Sequence, residues 1–419
     1  MRAFLRRIEA GRRRALVALP PLAGLVLTSG ASARSTLAYA EHHPAIFASD
    51  TVPGVPADQT LRWPSAVMRR DTMYIAANMF PTKDVSLRAR PLVLLRAPGT
   101  PIPLPDGEFL FAYPKLVASH AGDLHLFWGE YDQIPTRPMW SGWITRVWHA
   151  RWARGRWSKP DEVIHAPVIL WSEHDRQIVV DGNDRISLVI PAAMNGGTPT
   201  LVYVRGVAAE WSTHAFEQFA NYASIAVTGP HSLMAAFVGP NAAVQRDHGS
   251  VFMTRSVDDG SHWTTPVVVS SVPGQTAFAP QLFDAGQALG LAWYTGVNAT
   301  REKRLIVTAG AFDGSGWTTA FEEPLPTTAT GFRIGGMKCG DVVALVETFE
   351  GQRPNVRKVT WRRGAPAIAT ALAPELESAS SAAIGVADRS LWAVFNSKSA
   401  NATTVRPAVA PLAQCMKER

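Results

Sequence analysis

Three arginines lie at matched distances ahead of short apolar segments, each of which begins with a turn. Arg62, Arg176 and Arg333 each precede such a turn by eight or nine residues. Matched spacing indicates equivalent points of a repeat, so their side chains would converge on one site. There the guanidinium groups can hold a carboxylate or another anion bidentately. The spacing therefore predicts an anion-binding cluster, and the alternative is that these arginines donate to carbonyl groups or pack on tryptophans.

Side chains suited to acid–base or nucleophilic chemistry lie near the ends of the same segments. Carboxylates and imidazoles transfer protons, and a tyrosine hydroxyl acts as a nucleophile when a base activates it. The candidates are Asp84, Glu130, Tyr131, His174, Tyr294 and Glu347. The histidines and cysteines show no spacing typical of metal ligands, so we expect neither a metal nor a cofactor.

A long connection after Tyr131 carries two tryptophans, Trp140 and Trp143. Indole rings on an exposed rim stack on the apolar faces of sugar rings, while nearby carboxylates bond to the hydroxyl groups. These residues predict a carbohydrate ligand. The alternative is that both rings cover a neighbouring part of the fold.

The elements that would position these side chains recur along the chain. Four of the fourteen tryptophans are followed by Ser or Thr and are separated by 54, 52 and 54 residues. They are Trp157, Trp211, Trp263 and Trp317. Seven turn-plus-strand segments recur out of phase with them, about every 53 residues from Asp71 to Asp388. Short β-branched and aromatic runs between Gly, Pro, Asn and Asp indicate strands and turns, and this period is typical of a β-propeller.

One turn carries a sharper motif, S-x-D-x-G-x-x-W. Its fixed positions are Ser256, Asp258, Gly260 and Trp263. The Asp accepts backbone N–H bonds, the Gly supplies an unusual φ and the Trp packs beneath the turn. The motif resembles the Asp-box, and nearly the whole mature chain resembles the sialidase or BNR-repeat superfamily. The resemblance implies an all-β propeller of four-stranded antiparallel blades, six or seven in number, and the seven segments favour seven.

The resemblance also implies roles for the candidate residues. Sialidases hold a substrate carboxylate with three arginines, and Arg62-Trp63-Pro64 is similar to the motif that opens their first blade. They use a tyrosine nucleophile, a glutamate that activates it and an aspartate acid/base, for which Asp84 lies in the corresponding loop. The Asp-box residues would be structural, on the face away from the substrate.

Three functions remain open at this point. The first is a glycan-active hydrolase that binds an acidic or neutral sugar at the central pocket. The second is a non-catalytic propeller that binds a glycan or a partner protein through the same rim. The third is a uronate lyase, in which arginine neutralises a carboxylate and a His/Tyr pair moves the proton.

The positive charge of the chain is concentrated at its beginning. The formal net charge is +7, and residues 1–40 hold seven arginines and one acid, net +6, which leaves +1 for the remainder. A near-neutral body gives no support for a nucleic-acid partner. The arginines precede a short apolar stretch and two small-residue cleavage sites, as in a secretory signal. We therefore expect export, by a Sec or twin-arginine route, and no membrane span in the mature chain.

These observations predict four parts of the chain. They are a cleavable leader over residues 1–40, a linker over 41–60, one propeller domain over 61–414 and a tail over 415–419. The two cysteines, Cys339 and Cys415, either form a disulfide that ties the tail to the body or remain as two buried thiols.

Overall fold

Short apolar runs separated by turn residues fold into antiparallel strands throughout the part of the chain that can be described. The computed structural model describes residues 59–69, 72–81, 92–96, 100–105, 111–131, 144–172, 176–207, 210–241, 245–270, 276–285, 288–296, 303–325, 329–338, 341–350, 353–362, 368–371, 378–387, 390–399 and 402–411. Outside these ranges lie the leader, most of the linker, the tail, Asp84, Trp140, Trp143, His174, Cys339 and Cys415, together with the side chain of Arg62.

The described strands form seven successive antiparallel groups, which we call units 1 to 7. Unit 1 contains β1 (Gln59–Arg69), β2 (Thr72–Pro81), β3 (Leu92–Arg96) and β4 (Thr100–Ile102). Unit 2 contains β5 (Phe111–Ala118), β6 (Leu124–Tyr131), β7 (Ile144–Ala153), β8 (Arg156–Trp157) and β9 (Asp161–Ile169). Unit 3 contains β10 (Ile178–Val180), β11 (Ile186–Ala192), β12 (Thr200–Val207) and β13 (Glu210–Phe219).

The later units follow the same order. Unit 4 contains β14 (Ala223–Gly229), β15 (Ser232–Asn241), β16 (Gln245–Ser256) and β17 (Val267–Ser270). Unit 5 contains β18 (Thr276–Asp284), β19 (Leu289–Gly296), β20 (Lys303–Gly310) and β21 (Thr318–Leu325). Unit 6 contains β22 (Ala329–Lys338), β23 (Asp341–Glu350), β24 (Arg353–Arg362) and β25 (Ile368–Ala371). Unit 7 contains β26 (Ser378–Ala387), β27 (Ser390–Ser399) and β28 (Ala402–Pro411).

The units pack side by side and the last returns to the first. β1 packs against β26, β27 and β28, so the ring closes between unit 7 and unit 1. The fold is an all-β propeller of antiparallel sheets, as predicted. Units 2 and 3 share one nine-stranded sheet, joined where Ala192 pairs with Ile169. The preference for seven blades over six stays a prediction. Within the described ranges, no helix has the length and apolar character needed to cross a membrane.

A repeated bulge shapes the innermost strand of three units. Trp63, Tyr113 and Ala279 have φ values of 54°, 48° and 46°, and each is followed by a proline. At each position the register with the second strand shifts, so that two residues face one. Proline cannot donate to a sheet ladder and is accommodated at such bulges. A left-handed conformation is uncommon for residues with side chains, so the surrounding sheets must hold these positions in place.

The residue after each of these prolines bonds to the next part of the ring. Ser65 Oγ accepts a hydrogen bond from Leu116 N in unit 2 at 2.9 Å. Gln281, which is fully buried, donates from Nε2 to Phe332 O at 2.8 Å and accepts from Ile334 N at 3.1 Å, both in unit 6. The bulge therefore turns a polar side chain toward the neighbouring unit and fixes its innermost strand.

Three of the repeat tryptophans contact a part of the chain that precedes their own unit. Trp157 Nε1 of unit 2 donates to Pro103 O, directly after unit 1, at 2.6 Å, and Trp211 Nε1 of unit 3 donates to Asp161 of unit 2. Trp263 of unit 4 packs on Tyr203 of unit 3, with ring centroids 5.0 Å apart. Trp317 packs on a core cluster that includes strands of units 4 and 5. For Trp157, Trp211 and Trp263, the repeated position in the sequence therefore corresponds to a repeated contact with the preceding part of the chain.

Candidate functional site

The starts of the innermost strands and the ends of the second strands share one rim of the ring. Arg62 pairs with Asn78 in unit 1, Phe278 with Tyr294 in unit 5, and Gly331 with Glu347 in unit 6. The rim therefore carries the backbone of Arg62 together with Tyr294, Arg333 and Glu347.

Arg176 lies just before β10 and reaches across to two other units. Its Nη1 donates to Leu282 O on β18 at 3.4 Å, and its Nη2 donates to Ile334 O on β22. Burial is the main cause that lowers the pKa of Arg176 to about 10, and the like charge of Arg333 lowers it further. Arg176 is thus bonded to the residue that follows Arg333, and its donors point to main-chain carbonyls.

Three of the predicted site residues lie on β22 or β23 or bond to β22. Arg333 is itself on this strand, is 7% exposed and donates from Nη1 to Phe332 O at 2.9 Å. Glu347 lies opposite Gly331, and Leu345 lies opposite Arg333. Directly opposed residues point to the same face of a sheet. Arg333 and Glu347 therefore share the face opposite to Phe332, which packs on unit 5. Arg176 approaches the same strand through Ile334.

Tyr294 reaches this strand from unit 5. Its ring stacks on Phe278 with centroids 5.1 Å apart and meets the ring of Phe332 edge-on at 6.0 Å. The side chain is partly buried against the core shared by units 5 and 6. Packing on both sides holds the tyrosine in one orientation close to the residues that flank Arg333.

Glu130 and Tyr131 lie in unit 2, and the carboxylate of Glu130 is bonded to side chains of β7. Trp148 Nε1 donates to Glu130 Oε2 at 2.7 Å, and Arg146 Nη1 lies 3.5 Å from the same oxygen. Tyr131 packs against the core cluster of units 2 and 3. These contacts orient Glu130 toward β7, so its position differs from that of Glu347.

An aromatic group on the same rim was missed from the sequence. The rings of Trp63 and Tyr113, the two bulge residues of units 1 and 2, lie 4.3 Å apart. Trp171 Nε1 donates to Tyr113 O at 2.9 Å, and the ammonium of Lys115 lies 4.9 Å from the Trp171 ring centroid. Lys115 is 8% exposed and donates to Ser172 O at 2.5 Å. The aromatic-Pro-polar tripeptides 63–65 and 113–115 were the available signal.

The turn with the S-x-D-x-G-x-x-W motif lies between β16 and β17. Asp258 Oδ1 accepts from Ser256 Oγ at 2.8 Å and from His262 N at 2.9 Å, and Trp263 Nε1 donates to Gly260 O at 3.1 Å. Gly260 has a φ of 84°. The backbone bond from His262, followed by its ring and by Ser256, lowers the pKa of Asp258 to about 2. The motif residues bond to one another within the turn.

Around β22, Arg333 and Glu347 share one face of the sheet of unit 6, Arg176 bonds to Ile334 O, and Tyr294 packs against Phe332 on the other face. The arginines can bind an anionic group, and a tyrosine and a carboxylate are group types that serve as nucleophile and base. In the described ranges, no three His, Cys, Asp or Glu side chains are grouped so as to hold a metal ion.

Comparisons with known proteins extend this description. No family model matches the chain, and no curated protein matches it in sequence. Among solved structures, a protein of unknown function from Dyadobacter fermentans is 12% identical, with 87% of this chain and 98% of that one covered and a TM-score of 0.51. The polysaccharide lyase Uly1 is 11% identical, with 83% and 89% covered and a TM-score of 0.49. An intramolecular trans-sialidase from Ruminococcus gnavus is 8% identical, with 77% and 100% covered and a TM-score of 0.47. At these identities the likeness concerns the fold alone.

Proposed function

We propose that the chain is an exported glycan-active hydrolase that binds a sugar at the rim beside β22. The observation that carries this proposal is the bond of Arg176 to the main-chain carbonyl of Ile334, the residue that follows the buried Arg333. Two like charges in a region of low dielectric repel each other, and a bound anion offsets that repulsion. A sugar with a carboxylate is the ligand class that suits this site best.

The proposed chemistry uses the other residues gathered at β22. In this scheme a carboxylate base takes the proton of the Tyr294 hydroxyl, a role for which the sialidase resemblance suggests a glutamate such as Glu347, and the tyrosine oxygen attacks the anomeric carbon as the bond to the leaving oxygen breaks. An acid, for which the sialidase resemblance suggests Asp84, gives its proton to the leaving oxygen. Water then releases the sugar from the tyrosine. Arg333 and Arg62 hold the anionic group in this scheme.

The rim also offers a surface for the apolar side of a sugar ring. Trp63 and Tyr113 are partly exposed aromatic residues in contact with each other. Aromatic rings of this kind pack against the C–H face of a sugar, while polar groups around them bond to its hydroxyls. In the proposal these two residues contact a part of the glycan away from the cleaved bond, and Trp140 and Trp143 extend that contact.

A second candidate is a non-catalytic propeller that binds a glycan, or a protein, through the same rim. Two observations favour it. Glu130 is engaged by Trp148 and Arg146, and the donors of Arg176 point to main-chain carbonyls. A site in which charged groups serve mainly to hold the ring together would bind without turnover.

Purified protein and a panel of fluorogenic glycosides, including those of acidic sugars, test the proposal. We expect turnover of an acidic glycoside and a fall in kcat/KM of about 10- to 100-fold in Arg333→Ala, because a hydrogen bond to a charged group is lost. Arg304→Ala is the matched control, since Arg304 is an exposed arginine paired with Glu322.

The possible outcomes separate the two candidates. Glycan binding without turnover, lost in Arg333→Ala, would replace the hydrolase by the binding propeller. Neither turnover nor binding would remove both.

A further inference from the structure

Two buried histidines in unit 2 lie within hydrogen-bond distance of each other. His125 on β6 and His149 on β7 are each 6% exposed, and His125 Nδ1 lies 2.9 Å from His149 Nε2. On its other side, His149 Nδ1 lies 3.3 Å from both carboxylate oxygens of Asp161, which is directly opposite on β9. The carboxylate in turn accepts from Trp211 Nε1 of unit 3. The four side chains form one continuous hydrogen-bonded chain.

The chemistry of the end group determines where the hydrogens lie. An ionised carboxylate only accepts, so His149 Nδ1 carries a hydrogen. The neutral imidazole of His149 then has an unprotonated Nε2, which accepts from His125 Nδ1–H. Both histidines are therefore assigned as neutral Nδ1–H tautomers at neutral pH.

This hydrogen-bonded chain also crosses from one unit to the next. Trp211 belongs to β13, the outermost strand of unit 3, and its ring meets those of His149 and Phe127 edge-on at 5.3 and 6.0 Å. The other three repeat tryptophans donate to main-chain carbonyls, those of Pro103, Gly260 and Gly314. A carbonyl does not titrate in the physiological range. Among the four repeat tryptophans, the bond of Trp211 is the one that depends on titratable groups.

We propose that His125, His149, Asp161 and Trp211 form an acid-sensitive latch between units 2 and 3. The pair of histidines can take up one proton and keep its bond, because His125 can change tautomer and accept from a doubly protonated His149. A second proton places hydrogens on both facing nitrogens, so the His125–His149 bond breaks. The two rings then separate, and the contact of the His149 ring with Trp211, which packs β13 on unit 2, weakens.

The surrounding charged groups determine the pH range in which the histidine pair takes up protons. His125 faces His149 and Arg151 on β7, Asp123 before β6 and Asp184 before β11, while His149 faces Asp161 on β9. Burial, followed by His149 and Arg151, lowers the pKa of His125 from 6.5 to about 4. The pKa of His125 is lower in the folded protein than in the unfolded chain. The His125–His149 bond therefore stabilises the fold fully at pH values above 6.5, the ordinary pKa of histidine. That contribution is lost as the pH falls toward about 4.

Hydrogen exchange on the full chain tests the latch, with rates corrected for the intrinsic pH dependence of exchange. Between about pH 7 and about pH 4, we expect protection of the amides of β13 and β9 to fall about tenfold or more, since one pKa unit corresponds to a tenfold change. The amides of β4, beside the Trp157 bond to Pro103, should keep their protection. A uniform loss over all units would overturn the proposal.

Two variants and a direct titration sharpen the test. His125→Asn keeps an N–H donor near Nδ1 but cannot titrate, so it should abolish the pH dependence of β13. Trp211→Phe should lower protection at neutral pH, whereas the control Trp157→Phe should leave β13 unchanged. If His125→Asn fails to fold, ¹⁵N NMR of the imidazoles in the unaltered chain decides. The proposal predicts coupled protonation together with a change at the Trp211 indole, and two independent titrations near the ordinary pKa would contradict it.

Discussion

The guanidinium of Arg176 donates a hydrogen bond to the main-chain carbonyl of Ile334, which lies 158 positions later in the chain. The same group reaches the carbonyl of Leu282. One side chain at the start of unit 3 therefore ties together the innermost strands of units 5 and 6. This is a structural role, and it exists beside any role of Arg176 toward a ligand.

Replacing Arg176 by Met should lower the free energy of unfolding by about 1–3 kcal/mol, because two buried carbonyls lose their donors. Relief of the repulsion from Arg333 offsets part of that loss. Urea denaturation measures the change, and Arg304→Met, at an exposed arginine, should stay within about 0.5 kcal/mol. Equal stability of the two variants would show that water replaces the guanidinium at no cost.

Substitutions of Gln281 test whether the residue after the bulge stabilises the contact between units 5 and 6. Gln281→Leu removes a buried donor and acceptor that serve Phe332 O and Ile334 N, and should cost about 1–3 kcal/mol. Gln281→Glu should be less stable still at neutral pH, since it buries a charge next to a carbonyl.

A buried Glu at this position has a raised pKa, so the Gln281→Glu variant should regain stability as the pH falls and the protonated acid donates to Phe332 O. Thermal unfolding at two pH values checks the sign. If Gln281→Glu lost stability on acidification relative to Gln281→Leu, the raised pKa of the introduced Glu would be contradicted.

Gly260→Ala should destabilise the protein strongly. The glycine has a φ of 84°, and an added Cβ would overlap the ring of Tyr203. Gly155 is a matched control, because its φ is 79° but no atom lies within 4 Å of an added Cβ. We expect Gly155→Ala to cost about 1 kcal/mol from backbone strain alone, and Gly260→Ala to cost at least about 1–3 kcal/mol more from overpacking. Equal costs in chemical denaturation would show that Tyr203 moves aside freely.

Asp258 should stay ionised in acid. Its folded pKa, about 2, lies below the ordinary value of 3.8. Its bonds therefore stabilise the turn above that ordinary value, and the contribution is lost as the pH falls through about 2. NMR titration of the side-chain carboxyl carbon measures the pKa. His262→Ala keeps the backbone N–H, so the pKa should rise only part of the way, and a full return to the ordinary value would assign the shift to the ring.

The architecture followed from the sequence because its signals are local and repeat. The Trp–Ser/Thr series and the turns ahead of β2, β6, β11, β15, β19, β23 and β27 recur at an interval that matches one unit. The motif predicted that Trp263 packs beneath its own turn, and its Nε1 donates to Gly260 O within that turn. Trp157 and Trp211 donate to the preceding unit instead.

The site was harder to predict because it depends on the register between strands and on how far each side chain extends. The spacing placed Arg176 and Arg333 at equivalent points, and they do approach each other. Spacing could not say that Arg176 would extend as far as carbonyls in units 5 and 6. The pair formed by His125 and His149 is hidden for a related reason. His125 lies opposite Arg151 in the ladder, so the contact is diagonal and needs the β6–β7 register to be known.

The direction of the tryptophan contacts has a consequence for biogenesis. Trp157, Trp211 and Trp263 each contact a part of the chain that precedes their own unit. A polypeptide that emerges N-terminus first therefore offers each new unit a template that has already been synthesised. Folding can proceed vectorially, one unit at a time, while the contacts of Arg176 with units 5 and 6 and of β1 with unit 7 form once those later units have been made.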